Sequence, residues 1–390
     1  MRLAQRMAAI QPSETLAITA KAKALRAQGI AVVNFAAGEP DFDTPAHIKA
    51  AAEQAIRDGK TKYTPSSGLP ELRQAISRRL ASDRGLTYAP EQIIVSCGAK
   101  HAIANALQVL CEAGDEVLIP SPYWVSYPPL VQLTGATPRI IETTEATGFK
   151  LIPDQLRAHL TPRARVLILN SPSNPTGAVY SEAELRALGE AVLSHDLLVL
   201  SDEIYEHLVF PPHRHSSMAS LSRALAERTL FVSGVSKTYA MTGWRIGYLA
   251  APPAIAEAVD RLQSHSTSNP ASISQYAALA ALEGSIDGIR PMVEAFHRRR
   301  DLMVSRLQHM VGISCVEPGG AFYVFGNISQ LRQDSVQLAD QWLAEAHVAT
   351  VPGKPFGSDQ HVRFSFATDE ASIEEGMRRL EQWVTAHARG

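Results

Sequence analysis

The chain has 390 residues, 45% of them hydrophobic, with 37 Lys plus Arg against 39 Asp plus Glu. One core stops growing near about 250–300 residues, so two packed domains are expected, and the composition excludes a disordered tail or a collagen-like repeat. A net charge of -2 supplies no global field for a phosphate backbone, so nucleic-acid binding is not expected as the main task.

Three cysteines, Cys97, Cys111 and Cys315, form no C-x-x-C pair, and neither a disulfide framework nor a zinc ribbon is indicated. The opening MRLAQRMAAIQPSET lacks the apolar core of a signal peptide, and no window holds 18 uninterrupted apolar residues. A cytoplasmic protein without a membrane span is expected.

In chain order, ETLAITAKAKALRAQG (14–29) reads as a helix and IAVVNFAAGEP (30–40) as an extended piece. Between residues 45 and 250, short apolar runs alternate with amphipathic ones. Strands are expected at 92–98, 116–120, 165–170, 197–202, 229–234 and 246–251, with helices at 99–111, 122–134 and 181–195. Strands apolar throughout and separated by helices predict an α/β fold, a mostly parallel sheet with helices on both faces. After residue 270 the pattern changes. Helices at 272–283 and 287–310 precede a Gly-rich strand (319–326), a helix (335–347), strands at 348–353 and 362–368, and a helix (370–387). That mixture predicts a smaller α+β domain.

In parallel sheets of this kind ligands sit outside the carboxyl ends of the strands. There the sequence places Asn174 in SPSNPTG (171–177), Asp202 and Tyr205 in SDEIYEHL, and Lys237 and Arg245 in SGVSKTYAMTGWR. Gly98-Ala99-Lys100 opens a helix, whose free N–H groups form an anion site. A lysine, an aspartate, an asparagine, a tyrosine and a phosphate-ready helix start around one crevice suit pyridoxal phosphate. The lysine bonds the cofactor aldehyde, and the aspartate pairs with the ring nitrogen. Asn and Tyr reach the phenolic oxygen, while Arg, Ser and the helix start take the phosphate.

The strings AAGEPDFDTP, TKYTPSSG, SPYWVSY, NSPSNPTG, SDEIYEHL, SGVSKTYAMTGWRIGY, GGAFYVF and VRFSFAT follow one another along nearly the whole chain. In this order they resemble the class I aminotransferases of pyridoxal-phosphate fold type I, specifically the bacterial aspartate-aminotransferase-like subgroup. The resemblance implies that Lys237 binds the cofactor and shuttles the proton, that Asp202 faces the pyridinium, and that Asn174 and Tyr205 contact the phenolic oxygen. It implies that Trp124 stacks on the ring and that Ala99, Lys100, Ser236 and Arg245 surround the phosphate and the substrate entrance. Tyr63 would reach the neighbouring subunit's cofactor, which implies a homodimer with shared sites. Arg363 would clamp the substrate α-carboxylate and Gly38 would cover it. The implied domains are an arm and part of the small domain (1–44), a large cofactor domain (45–280) and a small domain (281–390), the small domain drawing on both termini.

The implied activity is ping-pong transfer of an amino group between an L-amino acid and a 2-oxo acid. Lys100 matches the lysine that dicarboxylate-specific relatives use for the distal carboxylate, favouring aspartate and glutamate with 2-oxoglutarate and oxaloacetate. Gln11 stands where many of those relatives carry a second lysine, and a neutral amide lacks the charge-assisted share of such a contact. Gly234 stands where well-known aspartate enzymes carry a phosphate-binding Ser, and its backbone N–H is the expected substitute. Alternatives are an aminotransferase for aromatic donors or prephenate, a pyridoxal-phosphate β-lyase, and a cofactor-binding regulatory protein.

Other features have plainer readings. SGVSKT lacks the glycines of a P-loop. Tyr127 is expected as a core aromatic, Arg298-Arg299-Arg300 as a solvated helix face, and His207, His213 and His215 as a loose group without metal-ligand spacing.

Overall fold

The computed structural model describes residues 14–387 together with residues 3, 4, 6, 7 and 10. After a short β1 (Val33–Asn34) come β2 (Ile93–Ser96), β3 (Glu116–Ser121), β4 (Thr137–Glu142), β5 (Ala164–Asn170), β6 (Leu198–Asp202), β7 (Thr229–Gly234) and β8 (Gly247–Ala250), all but β4 formed by the apolar runs. These seven form one sheet in the order β2-β8-β7-β6-β5-β3-β4. Every residue of β2, β7 and β8 is buried, as expected for strands covered on both faces. β8 alone runs antiparallel to its neighbours, β2 and β7.

β4 is not expected from the sequence. It pairs only with β3, at the sheet edge, where Pro138 is tolerated because no second ladder needs its missing N–H. The helix expected at 122–134 begins later, at Tyr127–Thr134. Ahead of it, the Tyr123 N–H donates to the Phe356 carbonyl at 3.0 Å instead of joining a helix.

A second sheet has the order β12-β13-β10-β9, built from β9 (Ser314–Cys315), β10 (Tyr323–Asn327), β12 (Val351–Pro352) and β13 (His361–Ser365). β11 (Val348–Ala349) instead pairs in parallel with β1, so the run 348–353 feeds two sheets rather than one strand. Bonds from the Phe35 N–H to the Ala349 carbonyl and from the Ser365 N–H to the Phe35 carbonyl, each 2.8 Å, tie the start of the chain to its end. The helix expected at 335–347 is regular over Ser335–Gln341 and then widens into a π-helical turn, Trp342–Ala346.

Phe35, Phe322, Phe364, Phe366 and Trp342 are fully buried in one apolar cluster that continues to Ile48, Leu72 and Phe231. The helix Glu370–His387 buries Ile373, Met377, Leu380 and Val384 against it. That shared core fixes the two sheets around the site.

The arginine run corrects the sequence reading. Arg299 and Arg300 are buried in the helix Arg290–His309. Arg299 pairs with Asp41 at 2.8 Å and lies over Phe42, while Arg300 meets Glu317 at 3.0 Å and lies over Phe210. Arginine enters a core when its fork is paired and its plane is stacked, and both conditions hold here.

Candidate active site

The carboxyl ends of β5 and β6 open on a cavity of about 520 Å³ that is closed from the other side by Tyr323 and Arg363 of the small sheet. In the β5–β6 register Asn170 lies opposite Asp202. The Asn170 side chain uses this proximity twice. Its Nδ2 donates to the Asp202 carbonyl at 2.9 Å, and its Oδ1 accepts from the Asn174 N–H at 2.8 Å. Asn174 then offers Oδ1 to Arg363 Nη1 at 3.0 Å. Arg363 Nη2 donates to the Ala36 carbonyl at 3.1 Å, and the guanidinium lies 4.3 Å from the Tyr323 ring centre. Its Nε is buried and has no hydrogen-bond partner among the described residues.

The Asp202 carboxylate is buried and meets two donors among the described residues, the Tyr127 hydroxyl at 2.6 Å and the Ile204 N–H at 3.2 Å. Burial pushes its pKa up to about 6, against the lowering effect of the Tyr127 hydrogen bond. Lys237 Nζ donates to the Gly38 carbonyl at 2.6 Å and lies 5.9 Å from the Tyr205 ring centre. Burial takes the Lys237 pKa down to about 8; Glu39 and Asp202 oppose that shift, while Arg363 and Arg245 add to it. An amine so placed is substantially neutral under mildly alkaline conditions, as a base must be.

At the anion end, two glycines permit a close approach. Gly98 has φ +88°, and a Cβ there would lie 2.5 Å from Arg245 Nη2. A Cβ on Gly247 would lie 2.2 Å from the Ala99 nitrogen, so β8 brings the helix Ala99–Leu110 to the cavity only through that glycine. The Ala99 and Lys100 N–H groups line the cavity without a backbone acceptor among the described residues. Arg245 stands beside them, its Nη1 donating to the Thr242 carbonyl at 2.9 Å. Lys100 Nζ lies 4.8 Å from the Trp124 ring centre, and burial followed by Arg245 lowers its pKa.

Residues 30–380 match the family model described as aminotransferase class I and II. The chain is 48% identical to the aspartate aminotransferase of Geobacillus stearothermophilus over the full length of both proteins. It is 47% identical to the aspartate/prephenate aminotransferase of Cereibacter sphaeroides, covering 97% of this chain and 98% of that one. The solved aspartate aminotransferase of Thermus thermophilus with maleate superposes with a TM-score of 0.93 at 44% identity, over 98% of this chain and 100% of that one.

The chain belongs to the class I and II aminotransferases. Eleven of the candidate residues of this aminotransferase line one cavity. Gly38, Ala99, Lys100, Trp124, Asn174, Asp202, Tyr205, Ser236, Lys237, Arg245 and Arg363 are therefore brought together. Tyr63 is 93% exposed on the surface. Gln11 lies outside the described residues.

Three aminotransferase residues escape the sequence reading. Tyr127 is buried, as expected of a core aromatic, yet its hydroxyl holds Asp202. The usable signal is that a buried tyrosine hydroxyl needs a partner. Asn170, the first residue of NSPSNPTG, fastens two strand ends, and the Tyr323 hydroxyl lies 3.0 Å from that of Tyr205. A Cβ on Gly234 would lie 2.8 Å from the Gly247 Cα on β8, so no side chain fits at that position. His215 meets Glu203 at 2.6 Å, while His207 faces Asp83 at 3.8 Å, so these two histidines serve separate partners.

No helix among the described residues is long and apolar enough to cross a membrane.

Proposed function

We propose that the cavity binds pyridoxal 5′-phosphate and that the enzyme moves an amino group between aspartate or glutamate and a 2-oxo acid, 2-oxoglutarate or oxaloacetate. The observation that carries this reading is Lys237, a lysine with lowered proton affinity in one cavity with a buried carboxylate and a buried arginine. The residues fit the cofactor. Asp202 is a buried carboxylate whose two partners are a hydroxyl and an amide, and a cationic ring nitrogen would hold it ionised. The amides of Ala99 and Lys100, without a backbone acceptor among the described residues, suit a phosphate together with Ser236 and Arg245. Trp124 would cover the ring, while Asn174 and Tyr205 would donate to the phenolic oxygen. When bound, the cofactor supplies the electron sink that makes the donor Cα–H acidic.

This chain's residues would supply the rest. Arg363 clamps the α-carboxylate, with its free Nε as a further donor, and Gly38 covers that group. Lys237, as the neutral amine, would take the proton from the donor Cα and hold it on Nζ for its return on the same face. The two half-reactions use this site in turn, which makes the kinetics ping-pong. Tyr63, exposed on its own chain, would reach the cofactor of a second copy, and a homodimer with shared sites follows from that role. Gly38 and Arg363, from opposite ends of the chain, would then act with Lys237 across an arm (1–44), a large domain (45–280) and a small domain (281–390).

Lys100 is the proposed partner of the distal carboxylate, and maleate, the ligand named with the Thermus thermophilus structure, is a dicarboxylate. Lys100→Ala is expected to lower kcat/KM for aspartate and glutamate about 10–100-fold, the value of one charge-assisted bond. Phenylalanine should change by less than about 3-fold. A donor panel against 2-oxoglutarate and oxaloacetate, scored for oxo-acid product and ammonia, checks this. Equal losses for all donors would assign Lys100 to the phosphate or the fold, and ammonia release in place of transfer would favour a lyase.

Tyr127→Phe removes a donor that holds Asp202 ionised. The Asp202 pKa should rise, so the acid-side fall in kcat/KM should move up by about 1 pH unit. A pH–rate profile unchanged from wild type would contradict the assigned role.

A further inference from the structure

The charged groups lining the cavity are Lys100, Lys237, Arg245 and Arg363, with Asp202 and Glu39 as the carboxylates. Asp202 has its task at the ring nitrogen. Glu39 has none in the proposed reaction, and an anion at the mouth of a cavity that admits dicarboxylates works against entry. Its position needs another reason.

The hydrogen bonds supply one. Glu39 Oε2 accepts from the Thr242 hydroxyl at 2.6 Å. The carbonyl of the same Thr242 accepts from Arg245 Nη1 at 2.9 Å. The preceding residue, Gly38, presents its carbonyl to Lys237 Nζ at 2.6 Å. Two consecutive residues of the N-terminal segment therefore hold the lysine and the loop that carries the phosphate-end arginine. Neither Gly38 nor Glu39 belongs to the main sheet, so these bonds are a tie between separately built parts of the site.

We propose that Glu39 is a positioning residue: through Thr242 it fixes the loop that carries Arg245, and it sets a carboxylate one residue from the carbonyl that holds Lys237. This assignment rests on the reading of the cavity as a pyridoxal-phosphate site. The groups facing Lys237 are Glu39 and Asp202, which favour its cation, and Arg363 and Arg245, which oppose it. Tyr205 and Tyr323 complete the surround, and burial holds both phenols protonated. Replacing Glu39 with glutamine keeps an acceptor for Thr242 and removes only the charge. Replacing Thr242 with valine keeps the charge and removes the bond.

The test uses the full-length, cofactor-loaded protein and two readouts besides turnover. Titrating the visible absorption band against pH should give a midpoint lower in Glu39→Gln than in wild type, by about half a pH unit or more. Equilibrium dialysis should show Thr242→Val retaining pyridoxal phosphate about 3–10-fold more weakly, with Thr242→Ser restoring retention. A Glu39→Gln midpoint equal to or above that of wild type overturns the charge role, and undiminished retention by Thr242→Val overturns the loop role. A wild type that develops no visible band overturns the pyridoxal-phosphate reading itself, together with this inference. A normal wild-type titration with unaltered variants overturns the inference alone.

Discussion

Lys237→Ala is expected to lower transamination by about 10⁴-fold, the upper range for losing a positioned proton-transfer group. The loss should fall mainly on kcat, because the groups proposed to bind the donor, Arg363 and Lys100, remain in place. The lysine is suited to this task because burial has already brought its pKa down from 10.5 to about 8. A surface lysine would be almost wholly protonated at neutral pH and useless as a base. Single-turnover measurement of donor-to-oxo-acid conversion checks the expectation, and exogenous small amines should restore part of the rate. Undiminished turnover would remove Lys237 from the reaction.

Arg363→Ala is expected to cut kcat/KM by about 10²–10³-fold for every amino-acid donor, the cost of losing one buried, hydrogen-bonded charge from a binding pair. Uniformity across donors is the diagnostic, since each has an α-carboxylate whatever its side chain. Arg363→Lys should fall between wild type and alanine. It keeps the charge and loses the planar fork that now spans Asn174 and the Ala36 carbonyl. The alanine variant also leaves those two acceptors without their donor, so a thermal melt of the variant should accompany the kinetics. A loss confined to aspartate and glutamate would move Arg363 to the distal carboxylate.

How much of this was legible follows the range of the interactions. The strand runs 165–170 and 229–234 have apolar centres, Val166–Leu169 and Leu230–Val232, and are followed by turn residues, so they stop close to where the structure stops them, and Asn174 and Lys237 fall beyond their ends. Helix 272–283 is likewise local in its signal and forms over Ser272–Glu283. What is missed depends on partners far away in the chain. Arg299 reads as solvated because it stands in a run of three arginines, whereas the carboxylate it pairs with, Asp41, is 258 residues distant. Tyr127 reads as a plain core aromatic because Asp202 is 75 residues on. The split of 348–353 into β11 and β12 requires β1, contributed by the start of the chain. β4 has the polar, proline-bearing pattern of an edge, which local periodicity does not separate from a loop. The need for glycine at 234 is equally non-local, because β8 occupies the place where a side chain would go.

Lys237, and not Lys100, the other lysine of the cavity, is expected to carry the cofactor. Loading the protein with pyridoxal 5′-phosphate, reducing it with borohydride and mapping the modified peptide by mass spectrometry tests this most directly. The expected result is one stable adduct per chain on the peptide containing Lys237, formed with loss of the visible band and absent from Lys237→Ala. An adduct on Lys100, or no adduct from a fully folded protein, would contradict it.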